Sequence, residues 1–286
     1  MKNRSKILIG ISFGQGGAIE GCEEFAEYMI ENSRFDFAKE LIKNDDVFFE
    51  NNNHLKNQQK VVEINKRAYL KIKEIVNKDT LPIIVGGDHS VSAGGIMALS
   101  EIYADLGVIW IDAHADFNDD KITNSKNMHG MTLSSVCGLG PDCMIDYSEN
   151  KIIDKNKIVI IGCRDIEKDE EKKLNIHGIR YYPFDIIKKR GLKSILADVK
   201  NYLSDKVKNI HLSFDIDSVS PAFAPGTGTP VNGGFEEEEV IVLIRSLKQM
   251  LNIVSYDIVE VNPKLDEGDK TKILAEKIIK VFLENN

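Results

Sequence analysis

The chain has 286 residues, 29% of them charged, with a formal net charge of −8. That length can bury a substantial core, and the acidic balance excludes the basic face that a nucleic-acid partner requires. No window approaches the roughly 18 uninterrupted apolar residues of a membrane span, and four cysteines without a CxxC pair predict reduced structural thiols in a cytoplasmic protein.

The first segment, MKNRSKILIGISFG, lacks the long apolar stretch and cleavage site of a secretory signal, so Lys6–Ser12 is predicted to be a strand. NNNH at 51–54 reads as a loop. Gln58 to Val76 carries Val61, Val62, Ile64, Ala68, Ile72 and Ile75 on one face at helical spacing. Short β-branched runs follow at PIIVGG, LGVIWID, KIVIIG, GIRYY, NIHLSFDID and NIVSYDIVEV. Further helices are predicted from about Phe235 to Met250, where EEEE at 236–239 suits a helix N-terminus, and from Thr271 to Leu283. Strands alternating with helices predict an α/β fold, a mostly parallel sheet covered by helices. No linker interrupts the chain, so residues 1–286 read as a single domain.

The titratable clusters stand where apolar strands run out: GGDHS at 86–90, DAHADFN at 112–118, DIDS at 215–218 and EVNP at 260–263. Ligands of open parallel sheets bind just beyond the carboxyl ends of the strands, so these clusters can converge on one crevice. Asp112, His114 and Asp116 are spaced by two and project to the same side of an extended segment. Asp215 and Asp217 repeat that spacing, and His89 adds a sixth ligand. Four carboxylates with two imidazoles form a hard-to-borderline set that suits Mn²⁺. Six ligands exceed the needs of one ion that keeps a water, so two ions sharing carboxylates, about 3.5 Å apart, are expected. One Asp–His pair at a strand end would be an ordinary turn or cap. The whole series is not, because four buried carboxylates without cations would be severely unfavourable.

GGDHS, LGVIWIDAHADFN, NMHG, IGCRD, HLSFDIDSVSPAFAPGTGTP and DIVEVNPKLD, in this order over about residues 81–265, resemble the motif series of the ureohydrolase family of arginases and agmatinases. The likeness is greatest to arginases. It implies an arginase-like three-layer α/β/α domain with about eight strands, and hydrolysis of L-arginine to L-ornithine and urea by a hydroxide that bridges two Mn²⁺ ions. It also implies that His89, Asp112, Asp116 and Asp215 hold one ion, and Asp112, His114, Asp215 and Asp217 the other. The charges of two such ions and four aspartates roughly cancel, so with a hydroxide the centre is about one charge negative and suits a cationic guanidinium. By the same resemblance Asp116 also accepts a hydrogen bond from the nucleophile. His129 matches the proton shuttle to the leaving amine, and Glu260 the carboxylate that pairs with the guanidinium.

In arginases, polar neutral groups on the loop after DAHAD hold the substrate α-carboxylate, and Asn118, Thr123, Ser125 and Asn127 match those positions. Glu167 stands where the family has an aspartate against the α-ammonium. Asp165 and Glu170 fall at neighbouring positions, and Thr229 of GTGTP joins the substrate-binding set. The chain departs from the family at Lys126, where glycine is usual, at Glu167, one methylene longer, and at Ser220, where aspartate is common. Glu238 replaces an arginine that many arginases use in a trimer contact, and the tail after Val281 is short. The resemblance implies a homo-oligomer, trimer or hexamer, acting on a small guanidino compound with no nucleic acid or membrane partner. Two other readings stay open: the same chemistry on agmatine or another guanidino acid, and a non-catalytic metal-binding regulator.

Overall fold

A computed structural model of the protein describes residues 4–44, 54–149 and 152–284. Strand β1 (Ser5–Ser12), helix α1 (Glu23–Asn32), β2 (Ala38–Lys43) and α2 (Gln58–Ile75) lead to β3 (Thr80–Gly86) and α3 (Ser92–Ile102). Next come β4 (Leu106–Ile111), the short α4 (Thr132–Val136), β5 (Ile158–Ile161), α5 (Lys168–His177) and β6 (Arg180–Tyr182). Helices α6 (Phe184–Arg190) and α7 (Leu192–Leu203) precede β7 (Asn209–Asp215), α8 (Glu237–Met250), β8 (Ile253–Val259) and α9 (Lys270–Leu283).

The strands form one eight-stranded sheet in the order β2-β1-β3-β8-β7-β4-β5-β6, and every neighbouring pair is parallel. Its two faces carry separate apolar clusters. Ile7, Ile9 and Ile11 of β1, with Val108 and Trp110 of β4, pack under α2 and α3. Leu8, Ile109 and Ile111 point the other way, into a cluster with α1, α7, α8 and α9. Period-two alternation between two buried faces is why these strands read as unbroken apolar runs.

All seven strands expected from the sequence form. The eighth, β2, was not legible: it is an edge strand in which only Ile42 is buried, so its segment lacks an apolar pattern. Helix α2 buries Val61, Ile64, Ala68 and Ile72 as expected, but Val62 and Ile75 are only partly covered, and Asn65 and Tyr69 join the buried face. Asn65 is satisfied there, since its Oδ1 accepts the Gly94 N–H at 2.6 Å. Glu236–Glu239 do start a helix, and the Glu239 carboxylate accepts the Glu236 N–H at 3.0 Å. Of the loop expected at 51–54, residues 51–53 lie outside the described residues. Among the described residues no helix is long and apolar enough to cross a membrane.

The chain leaves β3, passes β8 and β7 and enters the sheet again at β4. The four central strands, β3, β8, β7 and β4, are therefore those that precede the four polar clusters, and the clusters meet above one stretch of sheet edge.

Candidate metal centre

Each cluster is turned inward by local backbone geometry. Past β3, a Cβ on Gly87 would lie 1.8 Å from the Phe13 carbonyl oxygen, so only glycine permits this close approach. The Gly87 and Asp88 N–H groups consequently donate to the Ile11 and Phe13 carbonyls at 3.0 and 2.9 Å. Asp88 then caps the single 3₁₀ turn His89–Val91, accepting the Ser90 N–H at 2.9 Å. Asp215 ends β7, and its Oδ1 accepts the Asp217 N–H at 2.8 Å to close a second such turn. Asp116 and Glu260 have left-handed φ values of 49° and 63°. Such backbone is strained for a non-glycine residue and persists where the surroundings enforce it.

Two groups of side chains then come together, His89 with Asp112 and Asp215, and His114 with Asp112 and Asp217. Within each group the ligand atoms all lie within 4.8 Å of one another. His89 Nδ1 is 3.0 Å from Asp112 Oδ2 and 3.1 Å from both Asp116 Oδ2 and Asp215 Oδ2. His114 Nδ1 is 3.0 Å from Asp217 Oδ2 and 3.5 Å from the other Asp112 oxygen, Oδ1. Asp112 thus offers one oxygen to each histidine, as a carboxylate shared between two ions would.

The donor set passes a direct test of fit. His89 Nδ1 is buried and has no hydrogen-bond partner, although three carboxylate oxygens surround it. Its other nitrogen has one. Ser213 Oγ donates to Asp257 Oδ1 at 2.7 Å, so it is left to accept from His89 Nε2 at 2.9 Å. Nε2 therefore carries a proton, and Nδ1 is the nitrogen that faces the carboxylates. Three carboxylate oxygens around it call for positive charge at that point: burial opposes it, but Asp112, Asp116 and Asp215 outweigh burial and raise the His89 pKa well above its usual value, and a bound cation would answer the same field. Asp257 is held in turn by His211, 2.9 Å from its Oδ2, and His211 Nδ1 meets Ser255 Oγ at 2.8 Å.

Electrostatics agrees. Burial, then the charge of Asp112, pushes the Asp116 carboxyl up; burial, then Asp217 and Asp112, pushes Asp215 well up. Burial and like charge thus disfavour the charged forms, a cost that bound cations would offset. Further contacts fix the ligands in place. Trp110 Nε1 donates to Asp112 Oδ2 at 2.9 Å, and its ring stacks on His89 with centroids 3.8 Å apart. Thr229 Oγ1, expected at the substrate, donates to Asp217 Oδ2 at 3.2 Å. The Arg164 guanidinium donates to the carbonyls of Asp217 and Val231 at 2.7 and 3.0 Å and ties down the loop that follows.

Beside the cluster, His129 Nδ1 lies 3.0 Å from Glu260 Oε1, which also accepts the His89 N–H at 2.8 Å. Burial alone would lower the His129 pKa, but the Glu260 hydrogen bond and charge outweigh it and hold the imidazole at about 9. Asn118, Thr123, Ser125 and Asn127 share the loop between β4 and His129. Thr123 Oγ1 accepts the Lys126 N–H at 3.0 Å and Ser125 Oγ the Asn127 N–H at 3.2 Å. Asn118 Oδ1 is buried without a partner. Lys126 has φ of 62°, which accounts for the usual glycine at this position.

Three expected site residues have other neighbours here. Asp165 is two-thirds exposed and lies 4.0 Å from His114 Nε2. Glu167 Oε2 accepts from Asn124 Nδ2 at 2.9 Å. Both Glu170 oxygens accept from backbone, the Phe117 N–H at 2.7 Å and the Glu167 N–H at 3.3 Å, so Glu170 supports the loop. Sequence reasoning missed Ser213, Asp257 and His211. Their signal was polar residues two apart in apolar strands, and the β7–β8 register sets His211 opposite Ser255 and Ser213 opposite Asp257.

This fold, with paired carboxylate–imidazole groups beyond its central strands, has the donor set of a metal-binding enzyme. The sequence profile of the Arginase family matches residues 5–283, and the chain belongs to that family. It is 35% identical to an arginase of Staphylococcus aureus (strain COL) over 229 residues, 80% of this chain and 76% of that protein. It is 34% identical to the Bacillus subtilis arginase over 86% of this chain and 80% of that one. An Entamoeba histolytica arginase solved in complex with L-ornithine superposes with a TM-score of 0.90, 28% identity and full coverage of both chains. The native Bacillus caldovelox arginase gives 0.86 with 29% identity, covering 100% of this chain and 99% of that one. The protein is a ureohydrolase, an enzyme that hydrolyses C–N bonds of linear amidines.

Proposed function

We propose that the enzyme hydrolyses L-arginine to L-ornithine and urea with two Mn²⁺ ions, held by His89, Asp112, Asp116 and Asp215 and by Asp112, His114, Asp215 and Asp217. The observation that carries this reading is the shared Asp112, whose two oxygens face different histidines beside the His129–Glu260 pair. A donor set of carboxylate and imidazole without thiolate favours Mn²⁺ over a structural zinc site. Such an ion pair supplies Lewis acidity and makes water acidic enough to serve as a nucleophile at neutral pH.

The chain's own residues do the rest. Glu260 pairs with the substrate guanidinium and orients its carbon towards the cluster. Asp116 accepts a proton from the attacking water. His129, protonated while Glu260 lies 3.0 Å away, delivers a proton to the departing amine nitrogen, so ornithine leaves as an amine and urea remains. The Asn118 side-chain N–H groups, with Thr123, Ser125 and Asn127, donate to the α-carboxylate, and Glu167, beside Asp165, receives the α-ammonium.

The family's other substrates gain one point of support: Glu167 shares its Oε2 with Asn124, which weakens an ammonium contact that agmatine does not need. A urea-release panel on Mn²⁺-loaded enzyme separates these readings. Urea from L-arginine in preference to agmatine and other guanidino acids is the expected result, and none from L-arginine overturns the proposal. The four free thiols, three of them buried, support a cytoplasmic location. The family resemblance supports a homo-oligomer, which sedimentation would resolve as a trimer or hexamer.

A further inference from the structure

Helix α5 buries three residues, Glu170, Lys173 and Leu174, and two of them are charged. Buried charge is costly unless partners answer it, so what these two groups reach is informative. Both reach residues 117–119. Glu170 Oε1 accepts the Phe117 N–H at 2.7 Å. Lys173 Nζ lies 2.8 Å from Asp119 Oδ2, donates to the Asn118 carbonyl at 3.3 Å and sits 5.4 Å from the centroid of the Phe117 ring. Three residues apart on one helical face, a carboxylate and an ammonium together grip the start of the loop.

The grip extends in both directions. Asp119 Oδ1 accepts the N–H groups of Lys121 and Ile122 at 2.9 and 3.1 Å, which folds the next turn. The Asn118 N–H donates to the Gly130 carbonyl at 3.1 Å, directly after His129. The Asn118 backbone is therefore fixed on both sides, and this sets where its side-chain N–H groups can point. The Lys173 and Asp119 side chains are only 9% and 18% exposed, so solvent screens this pair far less than a surface ion pair.

We infer that Lys173, through Asp119 and the Asn118 carbonyl, is a positioning residue that sets the Asn118 amide for the substrate α-carboxylate, and thereby favours guanidino acids over guanidino amines. This rests on the arginine reading above for the ligand, though not for the loop geometry. Lys173 itself touches no substrate.

The test uses full-length, Mn²⁺-loaded enzyme. Lys173→Met is expected to raise KM for L-arginine about tenfold with kcat within about twofold, the pattern of lost binding that ground and transition states share. kcat/KM for agmatine, which has no carboxylate to place, should stay unchanged, and Lys173→Arg should restore most of the arginine KM. Asp119→Asn should reproduce the Lys173→Met effect and stands in for that variant if it fails to fold. The double variant should be no worse than either single one, because both remove the same contact. Hydrogen exchange supplies a readout free of catalysis: amides of residues 117–127 should exchange about tenfold faster in Lys173→Met while those of the central strands do not. Unchanged loop exchange, an unchanged arginine KM, or equal losses on arginine and agmatine would each overturn the inference. If wild-type enzyme releases no urea from L-arginine, the arginine reading fails by itself, and the exchange comparison still decides whether Lys173 positions the loop.

Discussion

His89 can ligate only through a bare Nδ1, and residues that never meet the substrate decide that. Because Ser213 donates to Asp257, it can only accept from His89, which keeps the proton on Nε2. Asp257→Ala removes that instruction, and metal affinity should fall about 10–100-fold, measurable by competition with a chelator. Asp112 has a different consequence because its two oxygens serve both groups. Asp112→Ala should lose both ions, whereas Asp217→Ala should keep about one; elemental analysis finding two ions in both variants would falsify the ligand assignment. His129 makes a pH-dependent contribution of its own. Its pKa is about 9 in the fold against about 6.5 unfolded, so in metal-free protein the folded state holds this proton more tightly. That contribution, on the order of 3 kcal/mol, is fully present below pH 6.5 and is lost as pH rises through about 9. Metal-free wild-type protein should therefore lose more stability between about pH 6.5 and 9 than His129→Asn does, a difference that melting curves will show. Equal slopes would remove the His129–Glu260 pair as its source.

At the scale of elements, the strand–cluster junctions carry both the site and its legibility. Gly87 shows how little slack they hold: a methyl group there meets the Phe13 carbonyl oxygen at 1.8 Å. Gly87→Ala should therefore cost about 3 kcal/mol or more in denaturant unfolding, and it should also displace His89. The central strands were readable because their residues are buried on both faces and their apolar runs stop abruptly at polar residues. That contrast also exposed His89, Asp112, His114, Asp116, Asp215 and Asp217 before any geometry was known. β2 gave no such contrast, since an edge strand with one buried residue needs no apolar pattern. Lys173 was hidden for the opposite reason. KDEEKK reads as a solvated helix, and only the tertiary fold shows that two of its charges are buried against residues 117–119. The polar pairs of β7 and β8 depended on register. His211 and Ser213 acquire meaning only once β8 sets Ser255 and Asp257 opposite them.

Over the whole molecule, the candidate metal centre joins elements that the sheet already holds side by side. Two apolar clusters cover the sheet independently of the centre, so chelated protein should remain folded, with its secondary structure retained. Its stability should nevertheless fall. Ligands from β7 and from the segments after β3 and β4 gather four carboxylates, and burial raises the pKa of Asp116 and Asp215, so their charged forms lack the compensation that ions supply. An ion present at about a thousandfold over its Kd stabilises by about 4 kcal/mol, which for a chain of this size raises Tm by roughly 7 °C. That gap between loaded and chelated protein should be widest near pH 8 and should close as pH falls, because protons compete for the same carboxylates and imidazoles. Since burial raises the Asp116 and Asp215 carboxyls, the closure should begin at a higher pH than exposed aspartates would set. Calorimetry with and without Mn²⁺ across that range measures it directly, and a Tm indifferent to chelation at pH 8 would mean that the six side chains do not act as one metal centre.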